Sequence, residues 1–225
     1  MRRLIVSDVM TIAVSTAREA TPFKELARIM TERRVSALPV LDPADRLVGI
    51  VSEADLLPKE EHRDDPTGRH VLSFAGGRAS RVKAAGDTAG QVMTANVVVT
   101  HPDATLVEAA KEMARHHVKR LPVVDTDNRL VGIISRADLL TVFLRDDEDI
   151  RREVISEILI RVLWADPERF EVQVRDGIVT LSGELEQRSH IPIAVQLTHR
   201  VDGVIDVVDQ LSYALDDTTR APHRF

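Results

Sequence analysis

Between residues 21 and 57 the apolar positions change their period twice. Phe23, Leu26, Ala27, Ile29 and Met30 recur at three- and four-residue intervals, which predicts a helix with one stripe turned to a core. Thr21-Pro22 ahead of them predicts its start, with Thr21 as N-cap and Pro22 at the first helical position. Leu38–Leu41 is a short apolar run of strand length, Asp42-Pro43-Ala44-Asp45 is a turn, and Leu47–Val51 is a second strand. Ser52 then opens another short helix. The same grammar returns further on. Leu106, Ala109, Ala110 and Met113 mark a helix, Leu121–Val124 and Leu130–Ile134 mark strands, and Asp125–Asn128 marks the turn. Each stretch predicts a β-α-β-β-α unit.

The two stretches are copies. Displacing the chain by 83 residues lays Val9-Met10-Thr11 on Val92-Met93-Thr94 and Leu38-Pro39-Val40 on Leu121-Pro122-Val123. The match runs without a gap from Val9 to Leu57, and about 22 of its 49 positions are identical. A unit of this size buries too little surface to be stable alone, so the copies are expected to share a core.

After Leu144 the pattern changes. Arg145-Asp146-Asp147-Glu148-Asp149 is an acidic helix start, and Val154, Ile155, Ile158, Leu159, Val162 and Leu163 form one stripe on a helix expected to include Trp164. Asp166-Pro167 ends it. Phe170, Val172 and Val174 alternate with polar residues, Asp176-Gly177 is a hairpin turn, and Ile178–Ser182 returns. A helix near Ser189 to Val201, with Pro192 in its first turn, and a strand Val204–Leu211 complete the unit. Glu184 and Glu186 read as a turn after the return strand.

Composition narrows the function classes. Aromatics are only 3%, so the cores are aliphatic. The formal charge of −6 makes the whole chain a poor ligand for nucleic acid. Cysteine is absent, which removes disulfides, thiolate metal sites and a thiol nucleophile, and suits a reducing cytoplasm. The three apolar residues after Arg2-Arg3 are too few for a signal peptide, and no run reaches the roughly 18 apolar residues of a membrane span. A soluble, cytoplasmic protein is expected. No Gly-x-Ser-x-Gly elbow, Walker sequence or His-Glu-x-x-His spacing occurs, and the adjacent His116 and His117 diverge around a helix. No catalytic or metal-binding residue is nominated, and no enzyme activity is expected.

The Val-Met-Thr starts, the Leu-Pro-Val strands and the Gly-x-x-Ser-x-x-Asp endings at Gly49–Asp55 and Gly132–Asp138 closely resemble the CBS domain. The tandem resembles a CBS pair, or Bateman module. "VRDGIVTLSGEL" and "VDGVIDVVDQL" resemble the BON domain. The organisation expected is a first CBS repeat over 7–57, a linker over 58–89, a second repeat over 90–144, a BON domain over 148–215 and a disordered tail over 216–225. The fold class is α+β: two β-α-β-β-α repeats packed as a pseudo-symmetric pair, plus a small α/β domain.

Ser52 and Asp55, like Ser135 and Asp138, have two readings. In one they are a capping-box variant, with the serine accepting from the N3 amide and the acid suiting the helix dipole. In the other the aspartate at a strand-to-helix turn accepts from ribose hydroxyls, with the serine and helix start near a phosphate. The resemblance favours the second, since many CBS pairs bind adenosyl ligands. By position it puts ribose on Asp55 and Asp138, with Ser52 and Ser135 near ribose or phosphate. The adenine slot falls to Val14, Val97, Leu38, Pro39, Leu121 and Pro122. His117, Lys119, Arg120 and Arg136 supply cations in copy two, where copy one has Ser36-Ala37 and Glu53. A pocket joining Asp138 to Lys119, Arg120 and Arg136 is therefore expected to take the more phosphorylated ligand.

The segment between the repeats is rich in charge, Gly and Pro around one apolar island, Val71–Phe74, and reads as a flexible connection. Gly76-Gly77 with Arg78, Arg81 and Lys83 is a weaker phosphate-cradle candidate. The resemblance implies an adenine nucleotide as regulatory ligand, a symmetric homodimer, and a BON unit that meets a partner protein or membrane surface. A structural interaction protein with inactive pockets is the alternative.

Overall fold

The computed structural model describes residues 4–61 and 86–218. Two compact units divide the chain between Arg136 and Ala137: one is Ile5–Arg136, and the other runs from Ala137 onward together with Leu4.

The first unit holds both repeats. A helical turn, Val6–Val9, precedes β1 (Ala17–Arg18), the helix Phe23–Arg33, β2 (Ala37–Leu41), β3 (Leu47–Ser52) and the helix Glu53–Glu61. The second copy gives the turn Ala89–Val92, the helix Leu106–Arg115, β4 (Arg120–Val124) and β5 (Leu130–Ser135). Strands β2 and β3 pair antiparallel, as do β4 and β5, with a register irregularity at Val40/Leu41 and at Val123/Val124. The first strand of the unit is two residues in copy one, parallel to β2, and shrinks in copy two to a single bridge between Thr100 and Val123. Each hairpin turn rests on an aspartate at the equivalent position of its copy. Asp42 Oδ1 accepts from the amides of Ala44 and Arg46, and Asp125 Oδ1 from those of Asp127 and Arg129. Asp45 and Asn128 take the left-handed conformation there.

The helix starts differ. Thr105 is an N-cap with a complete capping box to Glu108. In copy one the N-cap is Pro22, one residue later than expected, and Thr21 instead accepts from the Arg18 amide through its hydroxyl. The displacement of 83 places Pro22 on Thr105, so the repeat itself marks the correct position.

The Val-Met-Thr starts are exchanged between the copies. Ala89, Val92 and Met93 pack into the core of the first repeat with Leu26, Leu38, Val40 and Val51. Thr94 and Ile50 exchange both backbone hydrogen bonds (3.0 and 2.9 Å), as Thr11 and Ile133 do (2.9 and 3.0 Å). A Cβ on Gly49 would lie 2.2 Å from Met93 Sδ, and one on Gly132 would lie 2.5 Å from Met10 Sδ. Glycine in each hairpin therefore lets the methionine of the other copy lie against the strand. Leu41, Leu47 and Val124 close a further cluster between the copies, and Asn128 Nδ2 donates to the Leu47 carbonyl.

The connection expected over 58–89 is structured at its described ends. The helix begun at Glu53 continues to Glu61, and Lys59 Nζ donates to the Gly86 carbonyl and pairs with Asp87 at 2.7 Å. Val71–Phe74 and the Gly76–Lys83 cradle lie outside the described residues, as do 219–225 of the expected tail.

The helix Arg136–Leu140 spans the division, and the second unit continues with a 3-10 turn, Thr141–Leu144. Asp146 caps the helix Asp147–Glu153, which widens into a π-helix over Val154–Ile160. Strands β6 (Phe170–Arg175), β7 (Ile178–Gln187) and β8 (Asp206–Leu215) form one sheet in that order, antiparallel and then parallel. The helix His190–Thr198 joins β7 to β8. Ile150, Val154, Ile158, Leu159, Val179, Leu181 and Leu185 are its core. Three expectations change here. Glu184 and Glu186 lie within β7, because that strand runs past Ser182. The last strand starts and ends later than expected. Trp164 sits beyond the helix in a left-handed conformation, 87% exposed, so it belongs to the exit turn rather than to the helix. Asp216 accepts from Thr218 and Arg188, which pull its pKa down to about 2, so the tail begins held rather than loose.

No described helix is long and apolar enough to cross a membrane.

Candidate functional site

A cavity of about 360 Å³ opens in the first unit and draws its walls from both repeats. Copy one supplies Ser36 and Ala37 ahead of and at the start of β2, Ile50 and Ser52 from β3, and Glu53, Ala54 and Asp55 from the helix that follows. Copy two supplies Thr94, Asn96, Val97 and Val98 after its first turn, and His117 to Arg120 at the entry to β4. The Thr94–Ile50 pairing lays the 94–98 segment along β3, which is why a wall of the cavity comes from the other copy.

Two matched backbone hydrogen bonds set the entrances. The Glu53 amide donates to the Ser36 carbonyl (3.1 Å), and the Arg136 amide to the Lys119 carbonyl (3.0 Å). Each strand-to-helix turn is thereby tied to the residues that precede its partner strand. At the first turn the Ser52 amide and hydroxyl both donate to Asp55 Oδ2, at 2.7 and 2.8 Å. Ser52 is thus a donor here, and Asp55 reaches back to the start of its own helix. This is the acidic half of a capping box, and it fixes the direction of the carboxylate at the cavity wall. The local capping and the facing of a cavity coexist in one residue.

The basic end comes from the other repeat. Arg120 donates to Ser36 Oγ across the copies. Partial burial lowers its pKa from the ordinary value, and the nearby Glu53 carboxylate opposes that shift. Among the described residues no hydrogen bond or ion pair engages the Lys119 ammonium. His117 takes the left-handed conformation in the turn that delivers Lys119 and Arg120.

The placement differs from the sequence reading in two ways. Lys119 and Arg120 share the cavity with Asp55 and Ser52, whereas Asp138 is not among its lining residues. Ser135 ends β5 and Arg136 and Asp138 lie on the following helix, with Asp138 in the second compact unit. The sequence reading places the cations beside the aspartate of their own copy; in this cavity they lie with the aspartate of the other copy. Of the adenine-slot candidates, Val97 lines the cavity. Leu38 and Leu121 have no exposed surface, Pro39 and Pro122 are buried with them, and Val14 is half-buried and outside the lining. The β2 strand is buried along its whole length: Ala37 at its start lines the cavity, while Leu38, Val40 and Leu41 pack in core clusters. Ile50, Thr94, Asn96, Val98 and Val118 also line the cavity and carry no signal in the sequence reading of the site. Thr94 was visible only as part of the Val-Met-Thr repeat, whose exchange between copies is a property of the fold.

Comparison with known proteins agrees with this architecture. The family model described as the CBS domain matches residues 6–60 and 89–145, and that of the BON domain matches 146–214. The crystal structure of CBSX2 in complex with AMP, a protein from Arabidopsis thaliana, is 30% identical, with a TM-score of 0.54 over 62% of this chain and 96% of that one. The CBS domain pair of protein MJ0100, in complex with 5-methylthioadenosine and S-adenosyl-L-methionine, is 25% identical with a TM-score of 0.50, covering 63% of this chain and 97% of that one. A homoserine O-acetyltransferase of Methanococcoides burtonii is 35% identical over 134 residues, which is 60% of this chain but only 23% of the enzyme.

Proposed function

Since this chain belongs to the CBS-domain family and carries a BON domain after its two repeats, we propose that it is a regulatory protein, not an enzyme. It binds an adenosine-containing ligand in the cavity between the repeats and relays the bound state through the BON module. The observation that carries this is the meeting of Asp55 and Ser52 from one repeat with Lys119 and Arg120 from the other in a single cavity. A carboxylate accepts from vicinal ribose hydroxyls, the cations suit a phosphate, and Ile50, Val97 and Val98 offer apolar contact to a base. The AMP, 5-methylthioadenosine and S-adenosyl-L-methionine held by similar CBS pairs support the ligand class. The acetyltransferase's activity does not carry over, because the similarity spans less than a quarter of that enzyme. The relay works by differential affinity: a ligand that bridges the repeats favours whichever arrangement holds both walls in place.

A thermal-shift screen with adenosine, AMP, ADP, ATP and S-adenosyl-L-methionine tests the ligand class. A true ligand at a hundred times its Kd stabilises by about 2.7 kcal/mol. Asp55→Ala is expected to remove most of that shift. An Asp55→Ala protein with undiminished affinity would sink the cavity as the site. Light scattering checks the symmetric homodimer that such pairs favour, and a monomer at all concentrations argues against it.

A further inference from the structure

Taking that cavity as an adenosine site, we infer that it selects a nucleoside monophosphate, with Lys119 reading the phosphate and Glu53 repelling longer phosphate chains. A cavity built from two identical repeats would carry the same basic pair twice. This one carries Lys119-Arg120 on one side and Ser36-Ala37 at the equivalent place on the other. Of the two cations, Arg120 is already committed: it spans the repeats to Ser36 Oγ and is drawn to Glu53. Lys119 is the lining cation that no described residue engages. One available ammonium suits one phosphoryl group, which carries close to two negative charges at neutral pH.

Glu53 sets the upper limit. It lines the same cavity at the position that Arg136 fills in the other copy. Each phosphate beyond the first adds negative charge in a space already bounded by a carboxylate, and like charges at close range repel most where water is partly excluded. With His117 counted as neutral, the charged lining side chains Glu53, Asp55, Lys119 and Arg120 sum to zero, so the cavity has no fixed surplus of positive charge to offset a triphosphate. The attraction is local to Lys119, and the repulsion is local to Glu53.

Calorimetric titration of the full chain with adenosine, AMP and ATP, in chelator and about 0.15 M salt so that surface charges are screened, tests this. The native chain is expected to bind AMP about tenfold tighter than ATP. Glu53→Gln should narrow that ratio about tenfold, and Lys119→Met should weaken AMP about tenfold more than it weakens adenosine. Circular dichroism establishes that both variants are folded. ATP binding as tightly as AMP to the native chain, or a ratio unmoved by Glu53→Gln, overturns the inference while leaving an adenosine site in place. No heat or thermal shift with any of the three ligands overturns the site and this selectivity together.

Discussion

Leu38→Ala is expected to cost about 2–5 kcal/mol of stability, the range for emptying a fully buried leucine site. The measurement is urea or thermal unfolding of the full chain followed by far-UV circular dichroism. At about 2–4 °C per kcal/mol for a chain of this size, the melting point of the CBS unit should fall by roughly 4–20 °C. Leu38 has no exposed surface and packs among Leu26, Met30, Val40 and Val51 of its own repeat and Ala89 and Val92 of the other. Its removal leaves a void that both copies border, so the loss should be felt by the unit as a whole and not by one repeat. A cavity-wall residue behaves differently. Val97→Ala trims a half-buried side chain at the ligand space and should change affinity more than stability. If Leu38→Ala melted like the native protein but bound nucleotide weakly, Leu38 would be a wall of the site and the core assignment would fail.

That contrast marks where the sequence ceases to be informative. The repeat, its strands, both hairpin turns and the BON elements are local patterns, and local patterns are readable: the Asp42 and Asp125 turns form where the aspartates stand, and Asp176-Gly177 turns the hairpin. The pairing of Asp55 with Ser52 is also local, three residues apart. The membership of the site is not. Lys119 and Arg120 stand 16 and 15 residues before Ser135 in the chain, which suggests the nearer aspartate, Asp138. They line a cavity with Asp55 because each Val-Met-Thr segment crosses to the other copy, and no periodicity encodes that crossing. Leu38 falls in the core and outside the cavity lining for a related reason. A Leu-Pro-Val strand reads the same whether one face meets a ligand or both meet cores, and only tertiary packing decides.

Gly183→Ala should be at least as disruptive, and in the other unit. Gly183 sits in β7 opposite Phe170 with φ of +115°, a conformation that an alanine adopts only under strain. A Cβ there would lie 2.3 Å from the Arg169 carbonyl oxygen and 2.6 Å from Phe170 Cα. Both are backbone atoms at the point where the turn Pro167–Arg169 enters β6, so no side chain can swing aside to make room. Strain of about 1–3 kcal/mol adds to overpacking of about 1–3 kcal/mol, and the variant should lose about 2–6 kcal/mol in the BON unit. By contrast, the methionine sulfurs facing Gly49 and Gly132 belong to flexible chains that can yield. The same variant tests the relay. Every residue lining the cavity lies between Ser36 and Arg120, in the unit that Gly183→Ala does not touch. The binding groups therefore survive, and any change in nucleotide affinity must come from coupling between the modules. Coupling is reciprocal: if the ligand biases the BON unit, the folded state of the BON unit biases the ligand by the same factor, typically about 5–150-fold. Loss of the BON fold is accordingly expected to shift nucleotide affinity by at least about fivefold. A Gly183→Ala protein whose BON unit is unfolded but whose affinity matches the native value would leave the cavity as a binding site and remove the BON domain from its output.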